Sequence, residues 1–127
     1  MSREYGLSET EYELMDFFWS ADEAQSFKQI LEYFNNEKGK NWKKQTLSSF
    51  LKILMDKGLI GNVANGKQYL YYALDTREQH VHQWVRGLVR SSFGNSMKQF
   101  LTAFSGGEQL SEQDVQDLKE CLREYEK

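Results

Sequence analysis

A single Asn-Gly pair, Asn65-Gly66, interrupts a chain otherwise patterned for helix. It parts residues 60–64 from residues 68–74, a run holding Tyr69, Tyr71 and Tyr72, and an Asn-Gly between two strand-prone runs is the strongest short signal for a β-hairpin. The chain ahead of that hairpin reads as helix. Ser8 and Glu11 form a capping box, with Leu7 and Tyr12 placed to staple it, so a helix is expected from about residue 9. Leu14, Met15, Phe17, Phe18 and Trp19 give that helix a broad apolar face, and Ser20-Ala21-Asp22 stops it. A second box, Ser26 to Gln29, opens a short helix with Phe27, Ile30, Leu31 and Phe34 at i, i+3, i+4, i+7, ending near Asn35-Asn36.

The third helix follows the loop EKGKN. In NWKKQTLSSFLKILMDKGLI, Leu47, Phe50, Leu51 and Leu54 repeat the same spacing and define one apolar stripe. Gln45, Ser49 and Lys52 point the other way, while Lys43, Lys44 and Thr46 crowd the first turn, and Gly58 is placed to end the helix. Three helices followed by a two-stranded ribbon, within about 70 residues, is the winged-helix plan, in which the third helix enters the DNA major groove. The expected fold is therefore mainly α with a small β-ribbon: a winged helix-turn-helix over residues 1–75 and a helical dimerisation region over 76–127.

Two lysines at a helix start oppose the helix dipole and cost local stability. Phosphate explains them. Unpaired N–H groups at a helix N-terminus bind anions, and lysines extend that site. The charge distribution agrees. The chain carries −3 net, but residues 1–37 hold 2 basic and 9 acidic side chains (−7), whereas 38–67 hold 7 basic (Lys38, Lys40, Lys43, Lys44, Lys52, Lys57, Lys67) and one acid, Asp56 (+6). An anionic partner for the middle of the chain follows, with acidic flanks limiting indiscriminate adhesion. Five or six phosphate contacts per subunit would supply most of the nonspecific affinity, with Lys67 contributing from the hairpin tip. Gln45 can pair bidentately with adenine, and Thr46 or Ser49 can bond a base edge or a phosphate.

Beyond residue 75, Val81, Trp84, Val85, Leu88 and Val89, then Phe93, Met97, Phe100, Leu101 and Phe104, keep a helical period that slips around Gly94, which marks a bend or break. Ser111 begins a last helix carrying Val115, Leu118 and Leu122. So few helices cannot hide such large residues by themselves, and a second copy is the simplest cover.

Several chemistries find no support. His80 and His82 would point about 200° apart on a helix, so no metal site is expected, and Gly106-Gly107 reads as a linker, not a phosphate loop. No arrangement argues for nucleophilic catalysis, so neither an enzyme nor a cofactor is expected. The single cysteine, Cys121, excludes an intramolecular disulfide and is expected to be a small buried hydrophobe. No apolar run approaches the roughly 20 residues of a membrane span, and the first residues lack the apolar core of a secretory signal, so the expected location is cytoplasmic.

The order LSETEYELMDFFW, then WKKQTLSSFLKIL followed by KGLI, then NGKQYLYYAL, resembles the penicillinase-repressor family, the BlaI/MecI group with the CopY repressors as relatives, along nearly the whole chain. The resemblance implies a homodimeric winged-helix repressor on a dyad-symmetric DNA operator, with Lys44, Gln45, Thr46 and Ser49 facing DNA and Lys67 on the wing. Lys43 stands where a serine is usual and Ile53 where an arginine is usual. The copper sensors' paired cysteines are missing. In antibiotic-responsive relatives a membrane sensor protease system leads to cleavage before a phenylalanine in the dimerisation region; the matching pair is Ala103-Phe104, with Ala103 in place of asparagine. Two alternatives stay open: a ligand-responsive regulator using an aromatic cleft of Trp84, Phe93 and Phe100, and a protein-protein module without DNA binding, favoured by Ile53 and the acidic pI.

Overall fold

In the computed structural model, which describes residues 5–125, the capping boxes form as the sequence specifies. The Glu11 amide donates to Ser8 Oγ and the Ser8 amide to Glu11 Oε1 (2.8 Å), starting α1, Glu9–Ser20. The reciprocal pair between Ser26 and Gln29 starts α2, Phe27–Glu32. Satisfying two otherwise orphaned donors at each start is what makes these short helices viable. The last turn after α2 widens into a π-turn, Tyr33–Glu37, which the 3.6-residue period did not foretell.

Helix α3, Lys44–Asp56, ends in a Schellman motif. Gly58 adopts φ 73°, the Leu59 amide donates to the Leu54 carbonyl and the Gly58 amide to that of Met55. The chain then enters β2, Ile60–Asn65, and returns as β3, Gln68–Ala73, with Asn65 opposite Gln68. The turn is thus Gly66-Lys67, one residue later than an Asn65-Gly66 turn. Gly66 takes the left-handed φ of 67° while Lys67 does not, the φ pattern of a II′ turn, which needs glycine at its first central position only. A third strand, β1, Gln25–Ser26, pairs antiparallel with Tyr71 and Leu70, giving the order β1-β3-β2. Two residues carry no periodicity, so the sequence had shown only the two-stranded ribbon.

The core sits where the three apolar stripes meet: Leu7, Leu14, Met15, Phe18, Ile30, Phe34, Leu47, Leu51, Leu54 and Ile60 are buried. At about 1.5–3 kcal/mol per large side chain removed from water, this cluster is the main source of stability. The compact unit it organises continues to Val85 and so includes the first turns of α4, Arg77–Phe93. There Trp19 Nε1 donates to the Asp75 carbonyl (3.1 Å), and the Arg77 guanidinium lies over the Trp19 ring while bonding Tyr12 Oη (2.9 Å) and Asp16. The Tyr12 and Asp16 bonds raise the Arg77 pKa, so it stays charged. Trp84 meets Tyr5 edge to face.

The second unit begins at Arg86. Gly94 and Asn95, both left-handed, break α4 from α5, Met97–Ser105, at the place where the sequence period slips. Ser96 caps α5, Ser111 caps α6, Glu112–Tyr125, and Phe93 meets Phe100 edge to face at 5.8 Å. None of its described residues is buried.

Candidate nucleic-acid interface

Burial of Leu47, Leu51 and Leu54 dictates what α3 shows on its other side. Lys43, Lys44, Gln45, Ser49 and Lys52 are exposed, Thr46 is half-buried, and Ile53 stands 43% exposed among them. Lys43 is the N-cap residue and offers no capping bond; the first backbone bond of the helix runs from Leu47 N–H to the Lys43 carbonyl (3.2 Å). The amides of Lys44, Gln45 and Thr46 therefore have no partner within the helix. Free N–H groups and the positive end of the dipole favour an anion at this end of α3, whose first residues Lys43 and Lys44 are both exposed. Lys67 sits exposed in the β2–β3 turn.

Not every lysine of the basic segment is available. Lys40 Nζ lies 2.7 Å from Glu13 Oε1, and Lys57 Nζ 2.5 Å from Glu11 Oε2. Part of the acidic first third thus neutralises part of the basic second third within one unit. Lys38, Lys43, Lys44, Lys52 and Lys67 form no ion pair among the described residues. Lys38, exposed in the loop before α3, joins this unpaired set beyond the lysines that the sequence pattern singles out; its place in EKGKN, just ahead of α3, is the signal for it. Burial acts to raise the Glu11 carboxyl, but the bonds from Lys57 and Ser8 outweigh it and hold its pKa below the ordinary value.

The proposed dimerisation residues fall into two groups. Val81, Trp84 and Val85 lie in the first unit, with Trp84 and Val85 each 37% exposed. In the second unit, Met97, Phe104 and Leu122 are 60–65% exposed, and Leu88, Phe100, Leu101 and Leu118 are half-buried. Phe100, Leu101, Phe104, Leu118 and Cys121 line an apolar groove of about 230 Å³ rimmed by Asp114 and Asp117. Cys121 is exposed, contrary to the expected buried hydrophobe, because it lies on the open side of this groove and no described residue buries it. Ala103 and Phe104 are exposed in the last turn of α5. His80 is held against the Trp19 ring with Nε2 3.1 Å from the Tyr5 carbonyl, whereas His82 is exposed; no group of metal-binding side chains occurs among the described residues. Nor is any described helix long and apolar enough to cross a membrane.

Three helices, the third with a basic and uncapped start, and a small antiparallel sheet make up a winged helix, a fold common among DNA-binding regulators. The sequence pattern of the penicillinase repressor family matches residues 7–124, and the chain belongs to that family. Among solved structures it is similar to an ArsR-like transcriptional regulator from Rhodococcus sp. RHA1 (20% identity, TM-score 0.49, covering 82% of this chain and 86% of that one). It is also similar to PadR of Bacillus subtilis, solved with operator DNA (24% identity, TM-score 0.45, 86% and 65%). The family assignment rests on the sequence match and not on these two. Among curated proteins no match emerges.

Proposed function

We propose that this repressor acts as a homodimer on a dyad-symmetric operator, each α3 lying in the major groove of one half-site and each wing reaching the adjoining backbone. The observation that carries this reading is the face of α3: five exposed polar or basic side chains opposite three buried leucines, with an uncapped start. Lys43, Lys44, Lys52, Lys67 and Lys38 hold phosphates, Gln45 reads a base pair, and Thr46 and Ser49 bond a base edge or phosphate. Residues 76–127 hold the two copies together; the lack of any buried residue after Ile60 among the described residues supports this, since helices rich in Phe, Leu and Val need a cover. Two tethered half-site contacts bind far more tightly than either alone, so release follows from loss of the dimer. The exposed Ala103-Phe104 bond, in the last turn of α5, is where a membrane sensor protease system would cut, because a helix end unwinds most readily into the extended form that proteases bind.

The test is an anisotropy titration against the duplex upstream of the protein's own gene and a scrambled duplex, at two salt concentrations. Tighter, salt-sensitive binding to the native duplex is expected; weak binding indifferent to sequence and salt would reject the reading and favour a protein-protein module.

A further inference from the structure

Something other than a cap must hold the start of α3, because Lys43 makes no capping bond. The residue before it, Trp42, is fixed from two sides. Its ring stacks on Phe34 (4.9 Å, 22° between planes) and leans on Phe50 (5.1 Å). Its backbone is gripped by the side chain of Asn35, in the π-turn after α2: the Trp42 amide donates to Asn35 Oδ1 at 2.6 Å, and Asn35 Nδ2 donates to the Trp42 carbonyl at 3.0 Å. A carboxamide presents an N–H donor and a C=O acceptor side by side in one plane, the complement of a single residue's C=O and N–H. The intervening loop is held compactly by the Lys40 amide bonding the Phe34 carbonyl and by Asn41 in the left-handed region (φ 58°).

We infer that Asn35 is a positioning residue for DNA reading: by clamping the Trp42 backbone it sets where the uncapped first turn of α3 presents Lys43, Lys44 and Gln45. This rests on the proposal that α3 reads DNA. The lysines have long flexible stems and tolerate a loosened helix start, whereas Gln45 must meet a base edge within hydrogen-bond geometry. Loss of the clamp should therefore reduce discrimination more than affinity for DNA in general.

The experiment compares the full-length wild type, Asn35→Ala and Asn35→Asp, by amide hydrogen exchange of the free protein and by anisotropy with the two duplexes above. In Asn35→Ala, exchange at Trp42 and Leu47 should quicken by roughly tenfold while α1 and the hairpin keep their protection. The ratio of native to scrambled affinity should fall by roughly fivefold, with the salt slope on the scrambled duplex unchanged. Asn35→Asp keeps the acceptor for the Trp42 amide and should restore its protection; if Asn35→Ala does not fold, Asn35→Asp carries the test, and its loss of protection at Trp42 would overturn the clamp. Unchanged exchange in Asn35→Ala, or quickened exchange with discrimination intact, would also overturn the inference. Equal binding of both duplexes by the wild type would defeat the DNA reading and with it the clamp's role in it, a failure told apart because the exchange difference would persist.

Discussion

The Lys57 ammonium lies 2.5 Å from Glu11 Oε2, tying the end of α3 to the first turn of α1, while the other Glu11 oxygen accepts the Ser8 amide. One carboxylate thus closes a capping box and braces the helix proposed to face DNA. Glu11→Ala should cost about 2 kcal/mol, because it removes a cap and a charge-assisted bond at a buried position. Lys57→Ala should cost less than about 1 kcal/mol, since that side chain is half exposed. Urea melts of both variants check the order; equal losses would mean that the ion pair, not the cap, carries the effect.

Acid should expose the same carboxylate. A group whose folded pKa is depressed contributes stability that is present above its ordinary value and is lost as pH falls through the folded value. For Glu11 the ordinary value is near 4.5, so the stability gap between wild type and Glu11→Gln should hold from neutral pH to that point and close below it. Melts across a pH series test this, and a gap that persists into strong acid would remove Glu11 from the account.

Ion pairing within the chain separates Lys40 and Lys57 from the unpaired lysines proposed to hold phosphates. Lys44→Ala and Lys67→Ala should each weaken binding to all duplexes and reduce the salt slope by about one phosphate's worth. Lys40→Ala, whose ammonium is held by Glu13, should leave the slope unchanged. Binding isotherms over a salt series decide; a slope change in Lys40→Ala equal to that of Lys44→Ala would show that the Glu13 pair opens on DNA.

Gln45→Ala should relax sequence preference by about 1–3 kcal/mol at one base pair of the half-site and leave the salt slope intact. Competition among singly substituted duplexes locates that position. Uniform weakening across all of them would assign Gln45 to phosphate.

Phe100→Asp places a charge in the apolar groove of the second unit and should yield monomers that bind the operator weakly, as should a chain ending at Ala103. Sedimentation gives the mass directly. An unchanged dimer mass in Phe100→Asp would take this groove out of the subunit interface, and full operator affinity in the truncated chain would sink induction by cleavage.

Much of this architecture was legible because it depends on neighbours. The Ser8–Glu11 and Ser26–Gln29 boxes, the Leu47–Leu51–Leu54 stripe and the Gly58 helix stop involve residues within about two turns of one another, where spacing alone determines which side chains meet. The exposed face of α3 followed from its buried one. The turn at Gly66-Lys67 fell one residue from the sequence reading because both Asn65 and Gly66 suit a tight turn, and strand register chose between them.

By itself, then, the sequence determined the helices, their caps, the hairpin and the basic face that reads as a DNA grip. Only the tertiary structure decided which lysines are free, since Glu13 meets Lys40 across 27 residues and Glu11 meets Lys57 across 46. It likewise added the strand Gln25–Ser26, set Asn35 on the Trp42 backbone and left Cys121 open on α6. The physical reason is common to all of these. Local periodicity says which side of a helix is apolar, but charge pairing, sheet edges and helix placement are chosen by whatever the collapse of the core brings within bonding distance.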